Sequence, residues 1–152
     1  MIRLARLLPF LASAAMAASA LPVPLATFRA EQPGFRGDSA TVRVRVMIPD
    51  GWHIQSNAPL DDFLIPTEVK ASGEGLTFGT PAFPKPKMKD LEALGGKVAL
   101  FEDSIWVRVP VRARRGSDAE KSLAAAVVSV RYQACNDSQC LPPKVITANY
   151  ER

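Results

Sequence analysis

The chain has 152 residues, 47% of them hydrophobic and 22% charged, with a formal charge of +4. That balance excludes a disordered chain and fits one domain with its own core. Thirteen prolines exclude an architecture of long helices. The arginines are dispersed along alternating segments without interleaved aromatics, so they read as a solvated sheet face, and nucleic acid is not an expected partner.

The first twenty residues read as an export signal. Arg3 and Arg6 supply a positive start, Leu7 to Ala18 an apolar stretch, and Ala18-Ser19-Ala20 a small-x-small cleavage site. Cleavage there leaves residues 21–152 as a single domain and lowers the formal charge to +2. No later stretch reaches eighteen uninterrupted apolar residues, so no transmembrane span is expected in the mature chain, which should be soluble. An exported chain enters an oxidising compartment, here read as the periplasm, where two cysteines can be held as a disulfide.

Most of the remaining sequence alternates with a period of two, the pattern of half-buried strands. Thr41 to Ile48 places Val42, Val44, Val46 and Ile48 on one face, with Arg43, Arg45 and Met47 on the other. Shorter candidates follow at Trp52 to Gln55, Thr67 to Ala71, Leu76 to Gly79 and Val98 to Glu102. Ser104 to Arg114 turns Ile105, Val107, Val109, Val111 and Ala113 inward, and Pro110 marks an edge or a bulge in it. Ala124 to Ala134 turns Ala126, Val128, Val130 and Tyr132 to the core, and Lys144 to Tyr150 closes the series. Pro49-Asp50-Gly51 is a tight joint between two strands. Ser72-Gly73-Glu74-Gly75 and Arg115-Gly116-Ser117-Asp118 are polar breaks. Only Lys89 to Leu94 offers a helical turn. The expected fold is an all-β, immunoglobulin-like antiparallel sandwich of about 7–9 strands.

The chemistry-bearing segment is Tyr132-Gln133-Ala134-Cys135-Asn136-Asp137-Ser138-Gln139-Cys140-Leu141-Pro142-Pro143. A disulfide between these cysteines closes a six-residue loop, for which chain entropy gives only about 2 kcal/mol, against roughly 4–5 kcal/mol for a loop near 100 residues. Such a bridge is a weak staple but an accessible redox group. No helix follows to lower a thiol pKa, and Asp137 disfavours a thiolate. The environment therefore suits a disulfide that waits to be attacked better than a strong oxidant. A purely structural disulfide in an immunoglobulin-like adaptor is the competing reading. His53, the sole histidine, has a pKa range suited to acid–base work but sits beside Trp52 in a turn, where a structural role is the simpler one. A zinc or copper site from Cys135, Cys140 and His53 lacks a fourth ligand, and no metal or other cofactor is expected.

The cysteine block with its Tyr-Gln and Pro-Pro flanks resembles the amino-terminal periplasmic domain of the thiol:disulfide interchange protein DsbD, the disulfide bond corrector group. Gly51-Trp52-His53-Ile54 and Phe83-Pro84-Lys85-Pro86-Lys87 resemble two further family segments, and the likeness spans roughly Phe35 to Tyr150. The resemblance implies that Cys135 and Cys140 are the redox pair, with Cys140 the thiol that forms mixed disulfides. It implies protein-disulfide reductase chemistry, with a thioredoxin-like or membrane-borne electron donor. The acceptors would be oxidised periplasmic proteins of the disulfide isomerase or cytochrome c maturation type. Because the sequence stops at Arg152, that donor is expected to act in trans. Tyr132, Gln133, Pro142, Pro143, His53 and Leu94 are candidate site-lining residues. Leu94 comes from Leu94-Gly95-Gly96-Lys97, the nearest match to a family cap loop that carries an aromatic. The nearest counterpart of the family's tyrosines near the site is His53 or Gln55, neither of which supports a proton-handling role by resemblance.

Overall fold

The computed structural model describes residues 27–31 and 34–149, so the export signal expected over residues 1–20 lies outside the described residues. Eleven strands and one short α-helix are formed among them. The strands are β1 (Thr27–Glu31), β2 (Ser39–Met47), β3 (His53–Gln55), β4 (Glu68–Ser72), β5 (Leu76–Phe78), β6 (Lys87–Leu91), β7 (Gly96–Phe101), β8 (Ser104–Ala113), β9 (Val127–Tyr132), β10 (Ala134–Cys135) and β11 (Lys144–Asn149). They make three antiparallel sheets, ordered β1-β2-β8-β5, β10-β3-β7-β6 and β11-β9-β4. This is the expected all-β sandwich, with more strands than the 7–9 anticipated because several are two or three residues long.

The core follows directly from the alternation. Val42, Val44 and Val46 of β2 and Ile105, Val107, Val109 and Val111 of β8 are buried, as are Val128, Val130 and Tyr132 of β9. These side chains meet Ile54, Val69, Leu76 and Phe101 in one cluster to which all three sheets contribute. A single residue, Gln133, separates β9 from β10, so one run of chain passes from the β11-β9-β4 sheet into the sheet that carries Cys135.

On the outer face of the first sheet, the guanidinium groups of Arg43 and Arg45 lie 4.9 and 5.6 Å from the Trp106 ring centroid. Arg43 also pairs with Glu31. This is the solvated, arginine-bearing face that the alternation requires.

Three expectations need correction. Lys87–Leu91 is an edge strand paired with β7, and only Glu92–Leu94 turns, as a short 3-10 segment closed by Gly95 in the left-handed region. Its run of helix-forming residues yields to the ladder that β7 offers. The α-helix, α1 (Ala119–Ala124), follows the expected polar break in a stretch to which the sequence assigned no element, and it takes Ala124 from the expected strand, which begins only at Val127. The Asp118 carboxylate caps it by accepting from the Lys121 N–H at 3.1 Å, and Leu123 is buried beneath it. Finally, β8 is not an edge. Pro110 pairs in unbroken register with β2, opposite Thr41. Its carbonyl accepts from the Gly79 N–H at 2.8 Å on the other side, so its missing donor faces the point where β5 has just ended.

Candidate functional site

The two cysteines occupy facing positions of a minimal hairpin. The Asn136 N–H donates to the Gln139 carbonyl at 2.9 Å and the Leu141 N–H to the Ala134 carbonyl at 2.8 Å. These bonds flank Cys135 and Cys140, which therefore form the narrow, non-hydrogen-bonded pair of the ladder, with Cα atoms 4.0 Å apart. That is the place in an antiparallel pair where side chains come closest, and the two sulfurs are joined. The turn is set by Asn136, whose side-chain oxygen accepts from the Ser138 and Gln139 N–H groups, both at 2.9 Å. Gln133 fastens the return limb by donating from Nε2 to the Leu141 carbonyl at 3.1 Å.

The bridge is lopsided. Cys135 lies in β10 and is completely buried, whereas Cys140, on the return limb, is partly exposed. The expectation of a disulfide carried on an open loop is corrected in this respect. One sulfur is held in a sheet because β10 pairs with β3, and of the two cysteines only Cys140 reaches the surface.

What surrounds Cys135 comes from β3, some eighty positions earlier. In register, Ala134 faces Ile54 and Cys135 faces His53. Ile54 points into the main core, so His53 and Gln55, its neighbours on a pleated strand, share the opposite face with Cys135. That face is covered too. His53 is 3% exposed and Gln55 fully buried. Gln55 Nε2 lies 4.0 Å from the Cys135 sulfur, a weak contact. Two buried polar atoms there, His53 Nε2 and Gln55 Oε1, have no hydrogen-bond partner among the described residues.

The chain matches the family described as "Thiol:disulfide interchange protein DsbD, N-terminal" over residues 18–151, nearly its whole length. It belongs to that family. Among solved structures, it is similar to the N-terminal periplasmic domain of ScsB from Proteus mirabilis, with a TM-score of 0.51 and 11% sequence identity. The likeness covers 80% of this chain and 44% of that one, so this chain spans less than half of the ScsB domain. At that identity it shows a shared fold. No curated protein matches the sequence.

In this member of the family, the other candidate residues take four different places. Tyr132 is a core residue, buried against the sandwich interior, and Gln133 is a hairpin fastener. Pro142 and Pro143 are exposed and outside any ladder, between Cys140 and β11, where they keep the return limb from pairing. Leu94 packs with Leu91 against Leu64, Val98 and Leu100. Because Leu100 faces Gln55 in register, this small cluster lies on the same outer face of the sheet as Gln55 and Cys135. The segment between β3 and β4 supplies Leu64 and also exposes Leu60 and Phe63. It is pinned at its base by the Thr67 hydroxyl donating to the Gln55 carbonyl and the Thr67 N–H to that of Ser56. Of these residues, Leu94 and Gln55 are the two that the sequence placed only through a family correspondence.

Beside His53 a recess of about 300 Å³ is lined by Asp50, Lys89, Glu102, Asp103 and Asp137 among others. Lys89 and Lys87 both pair with Glu102. Their hydrogen bonds, led by that of Lys89, hold the Glu102 carboxyl below its usual range. The His53 imidazole is pushed below its ordinary value, chiefly by burial and also by Lys89, with Glu102 and Asp137 opposing. The unfolded chain then binds a proton near pH 6.5 that the folded domain resists, so this group makes stability fall as pH drops through that value. Urea unfolding at pH 7.5 and 5.5 should show a loss on acidification that is smaller in a His53→Gln variant. An equal loss in both proteins would remove His53 as its source.

Proposed function

We propose that this domain exchanges electrons through the 135–140 disulfide, taking them from a thioredoxin-like or membrane-borne donor. It passes them to oxidised thiol proteins of the exported compartment, of the disulfide isomerase or cytochrome c maturation type. Cys135 and Cys140 are the reacting pair. The observation that carries the reading is the lopsided bridge, one sulfur sealed in a sheet and the other partly open on a two-proline limb.

Exchange proceeds by in-line attack of a thiolate on one sulfur while the other leaves. With Cys135 covered, the donor's thiolate attacks Cys140 and forms the mixed disulfide there, and Cys135 is the leaving group. The donor's second thiol then attacks the donor's own sulfur in that mixed bond and releases Cys140. In delivery to an acceptor the sequence reverses, with Cys140 attacking and Cys135 resolving. Membership of the DsbD amino-terminal family supports this chemistry, and the periplasm is the compartment it implies.

The test is the rate at which a reduced thioredoxin-type protein opens the bond in the native domain. Reduction within seconds at micromolar donor is the expected result. A bond that opens no faster than in a control domain carrying an inert structural disulfide would return the domain to the adaptor reading.

A further inference from the structure

The polar groups packed around Cys135 are mismatched to the state in which the sulfurs are joined. A disulfide sulfur has no proton to give and is a weak acceptor. Yet Cys135 stands opposite His53 and beside Gln55, two buried side chains each with an atom that finds no partner among the described residues, His53 Nε2 and Gln55 Oε1. Buried polar groups are ordinarily satisfied, and one left alone carries its full desolvation cost. Opening the bond changes the chemistry of that one atom, since the Cys135 thiol has an S–H to donate and the thiolate accepts strongly.

We propose that His53 and Gln55 are positioning residues for the Cys135 sulfur, satisfied only when the disulfide opens, and that they draw the 135–140 pair toward its dithiol form. The proposal rests on the exchange reading above and names the residues that tune it. In the thiol, Cys135 S–H donates to Gln55 Oε1 or to His53 Nε2. In the thiolate that forms at the moment of cleavage, Gln55 Nε2 donates to the sulfur, from a contact it already holds at 4.0 Å.

The proton balance follows. A donor thiol ionises and its thiolate attacks Cys140. The 135–140 bond breaks as the new sulfur–sulfur bond forms, and Cys135 departs with the electron pair as a thiolate. It then takes one proton, supplied through His53, which borders the recess where Asp50, Lys89, Glu102, Asp103 and Asp137 line the way to solvent. The donor's second thiol gives up its proton and closes the donor disulfide, and the Cys140 thiolate is protonated from water. Two electrons and two protons pass from donor to domain.

The test is the dithiol-to-disulfide ratio at equilibrium with glutathione, compared among the wild type, Gln55→Leu and His53→Phe. The ratio in each variant should fall about tenfold, the consequence of one buried acceptor that no longer favours the dithiol. The double variant should fall furthest. Residues that merely support the fold would lower the stability of both redox forms alike and leave the ratio unmoved, and that result overturns the proposal.

A measurement on the wild type covers the case in which the variants do not fold. His53 is the sole histidine, so its ring proton signal needs no assignment. In the disulfide form it should titrate in one step, and in the dithiol form a second inflection should appear at the thiol's own pKa, because the two groups are coupled. Identical curves in both forms contradict the proposal. A bond that glutathione and dithiothreitol open only on unfolding overturns the exchange reading as well. A bond that opens normally with an unmoved ratio overturns the positioning role alone.

Discussion

A Cys135→Ala variant should accumulate a mixed disulfide through Cys140 when mixed with a thioredoxin-type protein that lacks its resolving cysteine and carries its attacking cysteine as an activated mixed disulfide, while Cys140→Ala should form it roughly a hundredfold more slowly, since exchange depends on access to the attacking sulfur. The asymmetry comes from the hairpin. Cys140 is partly exposed and followed closely by two exposed prolines, whereas Cys135 is fully buried where β10 pairs with β3. Mass spectrometry of the non-reduced adduct, with peptide mapping of the linked cysteine, reads the outcome. Equal capture by both variants would mean that the cover over Cys135 opens readily. Capture by Cys140→Ala alone would reverse the assignment of attacking and leaving sulfur.

The second large effect is structural. Phe101→Ala should destabilise the domain by about 3–5 kcal/mol, the range for emptying a buried aromatic site. Phe101 is 2% exposed, stacks on Phe83 with ring centroids 6.1 Å apart, and stands opposite Ile54 in register. It thus packs behind the strand that presents His53 and Gln55 to Cys135. A loss of that size is a large share of the 5–15 kcal/mol available to an ordinary domain. Chemical denaturation of the oxidised protein measures it. A loss below about 1 kcal/mol would mean that the cavity collapses or that the β3–β7 packing is softer than described.

The parts of this molecule that were legible in its sequence are those governed by short-range pattern. Val42 to Ile48 and Ile105 to Val111 alternate so regularly that only one face of each could be buried, and both strands form as read. The cysteine block was legible because its residues are neighbours, and its tight turn follows from Asn136 and the spacing. The helical turn read at Lys89 to Leu94 forms only over Glu92–Leu94, because Lys89 to Leu91 is drawn into a strand that exists by pairing with β7. The α1 helix had a signal, Asp118 ahead of Ala119-Glu120-Lys121-Ser122-Leu123, but six residues are too few to set a period. The environment of Cys135 was the least legible part. It depends on the register that sets Cys135 opposite His53 and leaves Gln55 buried on an outer face. No local pattern announces a fully buried glutamine on the outside of a sheet.

The central claim is that the bond between Cys135 and Cys140 opens and closes while the domain stays folded. The most direct measurement is a redox titration of the native protein against dithiothreitol, with free thiols counted at each point and the near-ultraviolet circular dichroism recorded alongside. The account predicts a reversible two-electron transition with a midpoint above about −300 mV, the value below which structural disulfides typically lie, and a folded signal retained throughout. A midpoint below that value, or thiols released only as the tertiary signal disappears, would contradict it.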